Sequence, residues 1–242
     1  MITAIVSDIH GNEKALSAVF EDISNVGNIE GIVLLGDIVD YGPHSNEVIV
    51  LILNCKIPII CNIWGNHEDA IINEKYDKFS SDRGRASAKY TLRTLSQESL
   101  NYIRHDMDHD GVKSFKIGNK KCLAVHGSLE DIFWGSIKHS SNLEGYQEYD
   151  YVFSGHSHEP HFFEYFYKAD SPQTRNRKKT IFINPGSVGQ PRNINCCAQY
   201  SVLNTDNEEV IMRKVLYDVD GEMASFSGNV DAFYRDRLKI GV

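Results

Sequence analysis

Apolar residues in the first quarter of the chain occur in two patterns, short continuous runs and runs with helical spacing. Short continuous runs are typical of buried strands, whereas apolar residues at intervals of three and four indicate an amphipathic helix. The predicted strands are residues 3–6, 31–35 and 57–63, and the predicted helices between them are residues 13–25 and 45–54. This alternation of strand and helix predicts an α/β fold.

The middle of the chain is polar and has helical spacing. The pattern over residues 69–105 therefore predicts two or three helices that form a cap or lid on the same domain. The later predicted strands are residues 121–125, 150–153, 162–167, 180–184, 198–204 and 209–216, of which the last four form an antiparallel run. A C-terminal helix is expected around residues 220–238, and we expect residues 1–242 to form a single domain.

Composition narrows the classes of protein that fit. The 242 residues include 41% hydrophobic and 24% charged residues, which is ordinary for a globular chain. The formal net charge of −8 gives no overall attraction to nucleic acid or to an anionic membrane, although it does not exclude a local basic groove. We find no apolar run of membrane-spanning length and no leader-like pattern. Together with five cysteines, an odd number, these features predict a cytoplasmic protein with reduced thiols.

Five of the predicted strands end in side chains that can bind a metal or transfer a proton. Because α/β sheets bind ligands outside the carboxyl ends of their strands, we expect these side chains to meet in one place. Asp8 with His10, and His156 with His158, have a spacing that places both members on one side of an extended chain. The residues at the strand ends are Asp8, His10, Asp37, Asn66, His67, His126, His156 and His158.

The chemistry of this set indicates a transition-metal site. Imidazole together with carboxylate favours zinc, iron, manganese or cobalt, whereas calcium and magnesium prefer sites made of oxygen atoms. The set has enough ligands for two ions, and two ions about 3.5–4 Å apart suit in-line displacement at phosphorus. The other histidines are interpreted singly as caps, loop contacts or solvated side chains: they are His44, His105, His109, His139 and His161.

The blocks at the strand ends resemble the five-block pattern of the calcineurin-like metallophosphoesterases. That pattern is D-x-H, G-D-x-x-D, G-N-H-[DE], H and G-H-x-H, and all five blocks occur here in order. They begin at Asp8, Gly36, Gly65, His126 and Gly155. Three segments, SDIHGN, GDIVDYGP and NPGSVGQPR, look like the compact bacterial and archaeal phosphodiesterase-like subgroup, and the resemblance extends to about residue 218.

The resemblance implies a fold, an activity and a cofactor. The fold would be a four-layer α/β/β/α sandwich of two mixed β-sheets flanked by helices. The activity would be hydrolysis of a phosphate mono- or diester, by in-line attack of a hydroxide that bridges two divalent transition-metal ions, with Mn, Fe or Zn expected. The implied ligands are Asp8, His10 and His158 for the first ion, Asn66, His126 and His156 for the second, and Asp37 as the bridge.

Residues beside these ligands have less specific interpretations. The resemblance implies that His67 assists the leaving-group oxygen and that Asp40 orients His67 through a hydrogen bond. Glu68 is interpreted as a carboxylate at a helix start, where the helix dipole favours negative charge. Arg192 would either clamp a substrate phosphate or hold loop carbonyls. Asn12 is interpreted first as a helix cap and second as a substrate contact.

Alternative functions stay open at this point. Dinucleoside polyphosphate hydrolysis and phosphoprotein dephosphorylation would use the same centre, although Tyr41 stands where the protein phosphatases of the superfamily have an arginine. A non-catalytic, metal-binding interaction module would be expected to lack ligands or His67, and all of them are present here. The motifs G-x-G-x-x-G, G-x-x-x-x-G-K-[ST] and G-x-S-x-G, which other nucleotide-binding proteins and hydrolases use, are absent.

The expected partner is a small phosphorylated substrate, such as a nucleotide. Neither a membrane nor a nucleic acid is expected as a partner on the basis of charge. The polar, basic loop over residues 169–179 is interpreted as a solvated turn, with contact to a nucleotide or RNA as the alternative.

Overall fold

Strands of the computed structural model, which describes residues 1–168 and 178–242, form two mixed five-stranded sheets. The first sheet contains β1 (Ile2–Val6), β2 (Gly31–Leu34), β3 (Ile59–Asn62), β9 (Ala198–Asn204) and β10 (Glu209–Val215), in the order β10-β9-β1-β2-β3. The second sheet contains β4 (Val112–Ile117), β5 (Lys120–Val125), β6 (Tyr151–Ser154), β7 (His161–Phe166) and β8 (Lys179–Asn184), in the order β4-β5-β6-β8-β7. Strands β1, β2 and β3 are parallel, as are β5, β6 and β8, and the other neighbours are antiparallel.

Helices flank the sheets. They are α1 (Glu13–Val26), α2 (Ser45–Leu53), α3 (Asn66–Ile72), α4 (Asp82–Thr94), α5 (Gln97–His105), α6 (Val219–Ala224) and α7 (Ala232–Ile240). Apolar side chains of α1 to α5 share one core with the outer face of the first sheet. The outer face of the second sheet is covered by residues 132–149, which include the short 3-10 helix Glu144–Tyr146.

The strands bury both faces, and this explains their nearly continuous apolar sequences. In β1, Ala4 and Val6 pack toward the helices while Ile5 packs between the sheets. In β5, Leu123 packs toward the outer covering segment and Ala124 packs between the sheets. The predicted sandwich of two mixed sheets flanked by helices is confirmed.

The structure differs from the predicted elements in three places. Strand β4 was not predicted, because it is an edge strand whose polar residues face solvent. The predicted antiparallel run is divided between the sheets: β7 and β8 lie in the second, and β9 and β10 lie in the first. The single C-terminal helix expected around residues 220–238 is two helices, α6 and α7, separated by residues 225–231.

The segment predicted as a cap, residues 69–105, contains most of α3, the 3-10 helix Tyr76–Lys78, α4 and α5. Its residues Ala70, Ala88 and Ile103 join the core of the first sheet. This segment is therefore packed onto the sandwich along its length.

The basic loop predicted over residues 169–179 falls mostly outside the described residues, which stop at 168 and resume at 178. Lys179 begins β8, and its ammonium group lies 2.6 Å from a carboxylate oxygen of Glu164 and 2.8 Å from one of Glu208. Lys179 is thus occupied by ion pairs with β7 of its own sheet and with the turn between β9 and β10 of the first sheet. None of the helices in the two described ranges has the length and apolar character that a membrane crossing requires.

Candidate metal centre

Loops that follow the carboxyl ends of strands in both sheets bring the predicted ligands together. The first sheet contributes Asp8 and His10 after β1, Asp37 after β2 and Asn66 after β3, and the second sheet contributes His126 after β5 and His156 and His158 after β6. All of them except His156 are at most 2% exposed. Within this set, ligand atoms form two groups whose members lie within 4.8 Å of one another.

The first group consists of Asp8, His10, Asp37 and His158. His158 Nε2 lies 3.2 Å from Asp8 Oδ1 and 3.2 Å from His10 Nε2. His10 Nε2 lies 3.7 Å from Asp37 Oδ2. His158 Nδ1 is 2.6 Å from the carbonyl oxygen of Gln190, to which it donates its proton. The neutral ring of His158 therefore presents a lone pair at Nε2.

The second group consists of Asp37, His126 and His156, and Asn66 joins it through its amide oxygen. Asn66 Oδ1 lies 2.9 Å from His126 Nε2 and 2.9 Å from His156 Nδ1. His126 Nδ1 is 2.7 Å from the carbonyl oxygen of Leu35, and its Nε2 is 3.4 Å from Asp37 Oδ2. Because Asp37 Oδ2 faces a histidine of each group, Asp37 is in position to bridge them.

Buried polar atoms in this cluster face one another at short distances. Asp8 Oδ1 is buried and accepts no hydrogen bond within the described structure. The Nε2 atoms of His10 and His158 are 3.2 Å apart. A buried carboxylate oxygen without a hydrogen bond costs free energy, which a cation bound beside it would remove. The residues present therefore fit divalent metal ions.

Left-handed backbone is concentrated at this site. Six predicted site residues have positive φ: Asp8 (53°), His10 (49°), Asp37 (52°), Asp40 (76°), His156 (63°) and His158 (58°). Each such residue costs on the order of 1 kcal/mol, and residues with this strain cluster at functional sites. The expectation that strand alternation aligns the paired ligands was wrong, because the pairs lie in left-handed turns beyond the strand ends.

His67 and Asp40 form a dyad beside the ligands. His67 Nδ1 is 2.7 Å from Asp40 Oδ2, and the backbone N–H of His67 donates to Asp37 Oδ1 at 2.9 Å. On α4, Ser87 Oγ and Thr91 Oγ1 donate to Asp40 Oδ1 at 2.5 and 2.9 Å. Ser87 and Thr91 were not predicted, and the signal that could have found them is a pair of hydroxyls one turn apart on a helix.

The electrostatics of the site differ between His67 and the ligand histidines. Burial lowers the pKa of His67, but the charge of Asp37 and the hydrogen bond to Asp40 outweigh burial and raise it. Burial, followed by the charges of neighbouring histidines, lowers the pKa of His10 far below its usual value. The same causes lower the pKa of His156 to about 4. His10 and His156 are thus neutral near pH 7, the form of imidazole that binds metals.

Glu68 makes contacts that the helix-dipole interpretation misses. Its carboxylate is completely buried and accepts four backbone N–H groups. Oε2 accepts from Asp37 at 2.8 Å and from Gly65 at 2.8 Å. Oε1 accepts from Ile38 at 2.8 Å and from Val39 at 3.2 Å. Glu68 therefore ties the loop that carries Asp37 to the loop that begins α3.

A cavity of about 210 Å³ lies over the cluster. Its lining includes Asp37, Asn66, His67, His156 and His158, together with Tyr41, Phe79, Ser80, Ser81, Trp134 and Arg192. The ring of His67 lies 4.4 Å from that of Tyr41 and 5.0 Å from that of Phe79, measured between centroids. The Trp134 ring lies 5.8 Å from that of His156. Aromatic side chains thus form much of the wall around the candidate centre.

The two predicted substrate contacts have different positions. Arg192 lines the cavity, and its buried Nε has no hydrogen-bond partner in the described ranges. Asn12 instead caps α1, where its Oδ1 accepts from the N–H of Ala15 at 3.0 Å. Asn12 Nδ2 donates to Gly189 O and Tyr217 Oη, both at 3.1 Å. Every polar group of the Asn12 side chain is therefore engaged within the fold, and the cap interaction is present.

The chain belongs to the calcineurin-like phosphoesterase superfamily, whose domain model matches residues 1–208. An uncharacterized protein of Methanocaldococcus jannaschii is 29% identical over 230 residues, which cover 89% of this chain and 88% of that protein. The crystal structure of a metallophosphoesterase from Sphaerobacter thermophilus is 26% identical with a TM-score of 0.74, and the match covers 100% of both chains. A hypothetical protein from Pyrococcus horikoshii has the same fold at 24% identity, with a TM-score of 0.81 over 100% of this chain and 98% of that one.

Membership of this superfamily supports a hydrolase that acts on phosphate esters. The superfamily uses divalent metals, and the buried Asp/His cluster described above is a site that could bind them.

Proposed function

We propose that the protein is a phosphoesterase that uses two divalent transition-metal ions, Mn, Fe or Zn, to hydrolyse phosphate mono- or diesters of small substrates. The observation that carries this proposal is the pair of ligand groups that share Asp37, the first of which contains the buried Asp8 Oδ1 that accepts no hydrogen bond from the described residues. Asp8, His10 and His158 would hold the first ion, with Asp37 as the bridge. Asn66, His126 and His156 would hold the second.

Bound divalent cations supply Lewis-acid charge that polarises phosphoryl oxygens and favours ionised water near neutral pH. The protein's own contribution is positioning and proton transfer. Asp40 accepts a hydrogen bond from His67 Nδ1–H, which leaves His67 Nε2 to face the cavity. The raised pKa of His67 favours the protonated ring, which donates from Nε2 to the leaving-group oxygen.

The walls of the cavity would exclude water and hold the substrate. Phe79, Ser80 and Ser81 belong to the segment 69–105, which we propose acts as a cap over the centre. Arg192 brings a cation to the same cavity without a carboxylate partner among the described residues. A planar guanidinium in this position suits bidentate contact with a phosphoryl group.

The test is turnover after chelation and re-addition of manganese, zinc, iron or magnesium, with an aryl phosphomonoester and an aryl phosphodiester as substrates. We expect metal-dependent hydrolysis that His67→Asn lowers by about a hundredfold or more, the scale of a lost general acid, without loss of bound metal. His105→Asn, an exposed histidine at the end of α5, is the matched control and should retain wild-type turnover.

Two results would contradict the proposal. Loss of bound metal in His67→Asn would mean that His67 is a ligand and not a proton donor. Metal binding without turnover on either ester would favour the non-catalytic interaction module over an enzyme of this specificity.

A further inference from the structure

The C-terminal helix α7 forms an outer wall next to the cavity. Tyr234 of α7 stacks on Tyr41, with ring centroids 4.1 Å apart and planes inclined by 16°. Gln190 Nε2 donates to the carbonyl oxygen of Tyr234 at 3.2 Å. At the other end of α7, the N–H of Ile194 donates to the carbonyl oxygen of Gly241 at 2.8 Å. These bonds hold α7 against the loop that carries Arg192.

Two arginines contact Phe233 of this wall, and a third lines the cavity. Arg192 lines the cavity itself. Arg83, at the start of α4, places its guanidinium carbon 3.9 Å from the ring centroid of Phe233. Arg237 of α7 places its guanidinium carbon 5.1 Å from the same centroid. The Phe233 ring is 5.5 Å from that of Tyr234, so that contacts run from the cavity through Tyr234 to both arginines.

These arginines lack acidic partners. Across residues 1–168 and 178–242, no Asp or Glu side chain forms an ion pair with Arg83, Arg192 or Arg237. Arg192 Nε is buried without a hydrogen bond, and Arg237 Nε donates to the main-chain oxygen of Val242. Arg237 is buried and Arg192 is half-buried, and arginines in such positions are usually paired with a carboxylate, whereas Arg83 is exposed.

The cluster is electrostatically unfavourable as it stands. Burial, followed by the positive charge of Arg192, lowers the pKa of Arg237 to about 10. Guanidinium groups that repel one another beside a cavity would gain from an anion placed between them. Phosphate oxygens match the planar fork of arginine in charge and geometry.

We propose that Arg83, Arg192 and Arg237 form an anion subsite for the further phosphates of a substrate that contains a phosphoanhydride chain. The inference rests on the proposed phosphoesterase function, because the scissile phosphoryl group would lie over the ligand cluster. The next phosphates of the chain would extend past Arg192 toward the Phe233 wall. Arg83 and Arg237 are not among the residues that line the cavity, so we expect a monophosphate ester bound over the ligand cluster not to use this subsite.

The reaction on such a substrate is hydrolysis of a P–O–P bond. Water supplies the oxygen that bonds to phosphorus and keeps one of its two protons, and the bridging oxygen leaves with the electron pair of the broken bond. The leaving oxygen takes a proton from His67 Nε2. The second proton of the water passes to solvent, from which His67 is reprotonated. The products are two phosphate species, and the subsite would hold the leaving one.

The first test is calorimetric binding of bis(methylene)triphosphate, whose P–C–P bridges resist hydrolysis, to the metal-loaded protein with excess metal in both solutions. We expect Arg83→Gln to weaken binding about tenfold, as for loss of one charge-assisted hydrogen bond, and to leave the binding of phenylphosphonate unchanged. Arg93→Gln, an exposed arginine on the same helix, is the matched control and should bind as the wild type does. The same comparison is made on α7, where we expect Arg237→Gln to weaken triphosphate binding and Arg235→Gln, the control, to bind as the wild type does.

The second test compares kinetics on inorganic tripolyphosphate and diadenosine tetraphosphate with kinetics on an aryl phosphate. We expect Arg83→Gln to raise KM for the phosphoanhydrides about tenfold and to leave the aryl phosphate unaffected. Whichever of these two phosphoanhydrides has the higher kcat/KM would show whether the phosphate chain belongs to an inorganic polyphosphate or to a nucleotide. Equal triphosphate binding by the wild type, Arg83→Gln and Arg237→Gln would overturn the subsite. Failure of the wild type to hydrolyse the aryl phosphate would instead count against the proposed function, and the binding data would still decide the subsite.

Discussion

Replacement of Glu68 by Gln should destabilise the protein and disturb the candidate metal centre together. Each carboxylate oxygen of Glu68 accepts two backbone N–H groups, one pair from Asp37 and Gly65 and the other from Ile38 and Val39. The amide of glutamine keeps one oxygen. Its NH₂ group would face two backbone N–H donors. Two hydrogen bonds are therefore lost, and the NH₂ protons repel the N–H protons that they face.

The magnitude follows from the bonds that are lost. A hydrogen bond to a charged group contributes about 1.5–3 kcal/mol, so two such bonds correspond to about 3–6 kcal/mol. Part of this is offset, since burial and the charge of Asp37 raise the pKa of Glu68 and the neutral amide escapes that cost. We therefore expect the free energy of unfolding to fall by about 2–4 kcal/mol. If Glu68 acted only through the helix dipole, the loss would be about 0.3–1 kcal/mol.

Urea unfolding and metal content measure both consequences. Glu47→Gln is the matched control, because Glu47 is exposed in the first turn of α2 and has only the dipole to favour it. We expect Glu47→Gln to lie within about 1 kcal/mol of the wild type. The reasoning would be refuted if Glu68→Gln were no less stable than Glu47→Gln and bound metal with unchanged stoichiometry.

Three further predictions follow from other contacts. Asp37→Asn should lose bound metal and more than about a hundredfold in turnover, as measured by metal analysis and esterase kinetics, and unchanged metal content would exclude the bridge. Ser87→Ala removes a donor to Asp40 and should lower kcat about three- to tenfold at constant metal content, whereas loss of metal would place Ser87 in a different role. Asp22→Asn breaks a two-pronged ion pair with Arg213 and should cost about 1 kcal/mol in thermal unfolding at pH 7. The hydrogen bond to Arg213 lowers the pKa of Asp22 below its ordinary value of 3.8. The difference in stability between the wild type and Asp22→Asn should therefore be present above pH 3.8 and disappear as the pH falls through the lowered pKa. A difference that persists at lower pH would contradict the assignment.

The strand ends and the family blocks were the most predictable parts of this protein. Buried parallel strands have apolar sequences that are easy to recognise, and their carboxyl ends lie at one edge of a sheet. Ligand-type residues such as Asp8, Asp37 and His126 could therefore be expected to meet before any coordinates were known. Strand β4 could not be found in this way, because an edge strand with solvent-facing polar residues lacks that signal.

The contacts around the dyad could not be predicted, because they depend on how helices pack. Ser87 and Thr91 are 47 and 51 positions from Asp40, and only the placement of α4 against the first sheet brings them within hydrogen-bond distance. For Glu68, the position at a helix start suggested an interaction with the helix dipole. The fold instead surrounds its carboxylate with four backbone N–H donors. The three arginines of the proposed subsite come from α4, the loop before β9 and α7, and no local sequence pattern connects them.

The division of the ligands between two sheets has a consequence for how the protein is made. His10 and His158 stand 148 positions apart, although their Nε2 atoms are 3.2 Å apart. A nascent chain therefore contains neither proposed cation site in full until translation has passed β6, since His156 and His158 follow that strand. Contacts this distant in sequence also close late in folding. Binding of metal at the proposed centre would therefore require that both sheets have formed and packed together, so we expect it to follow folding.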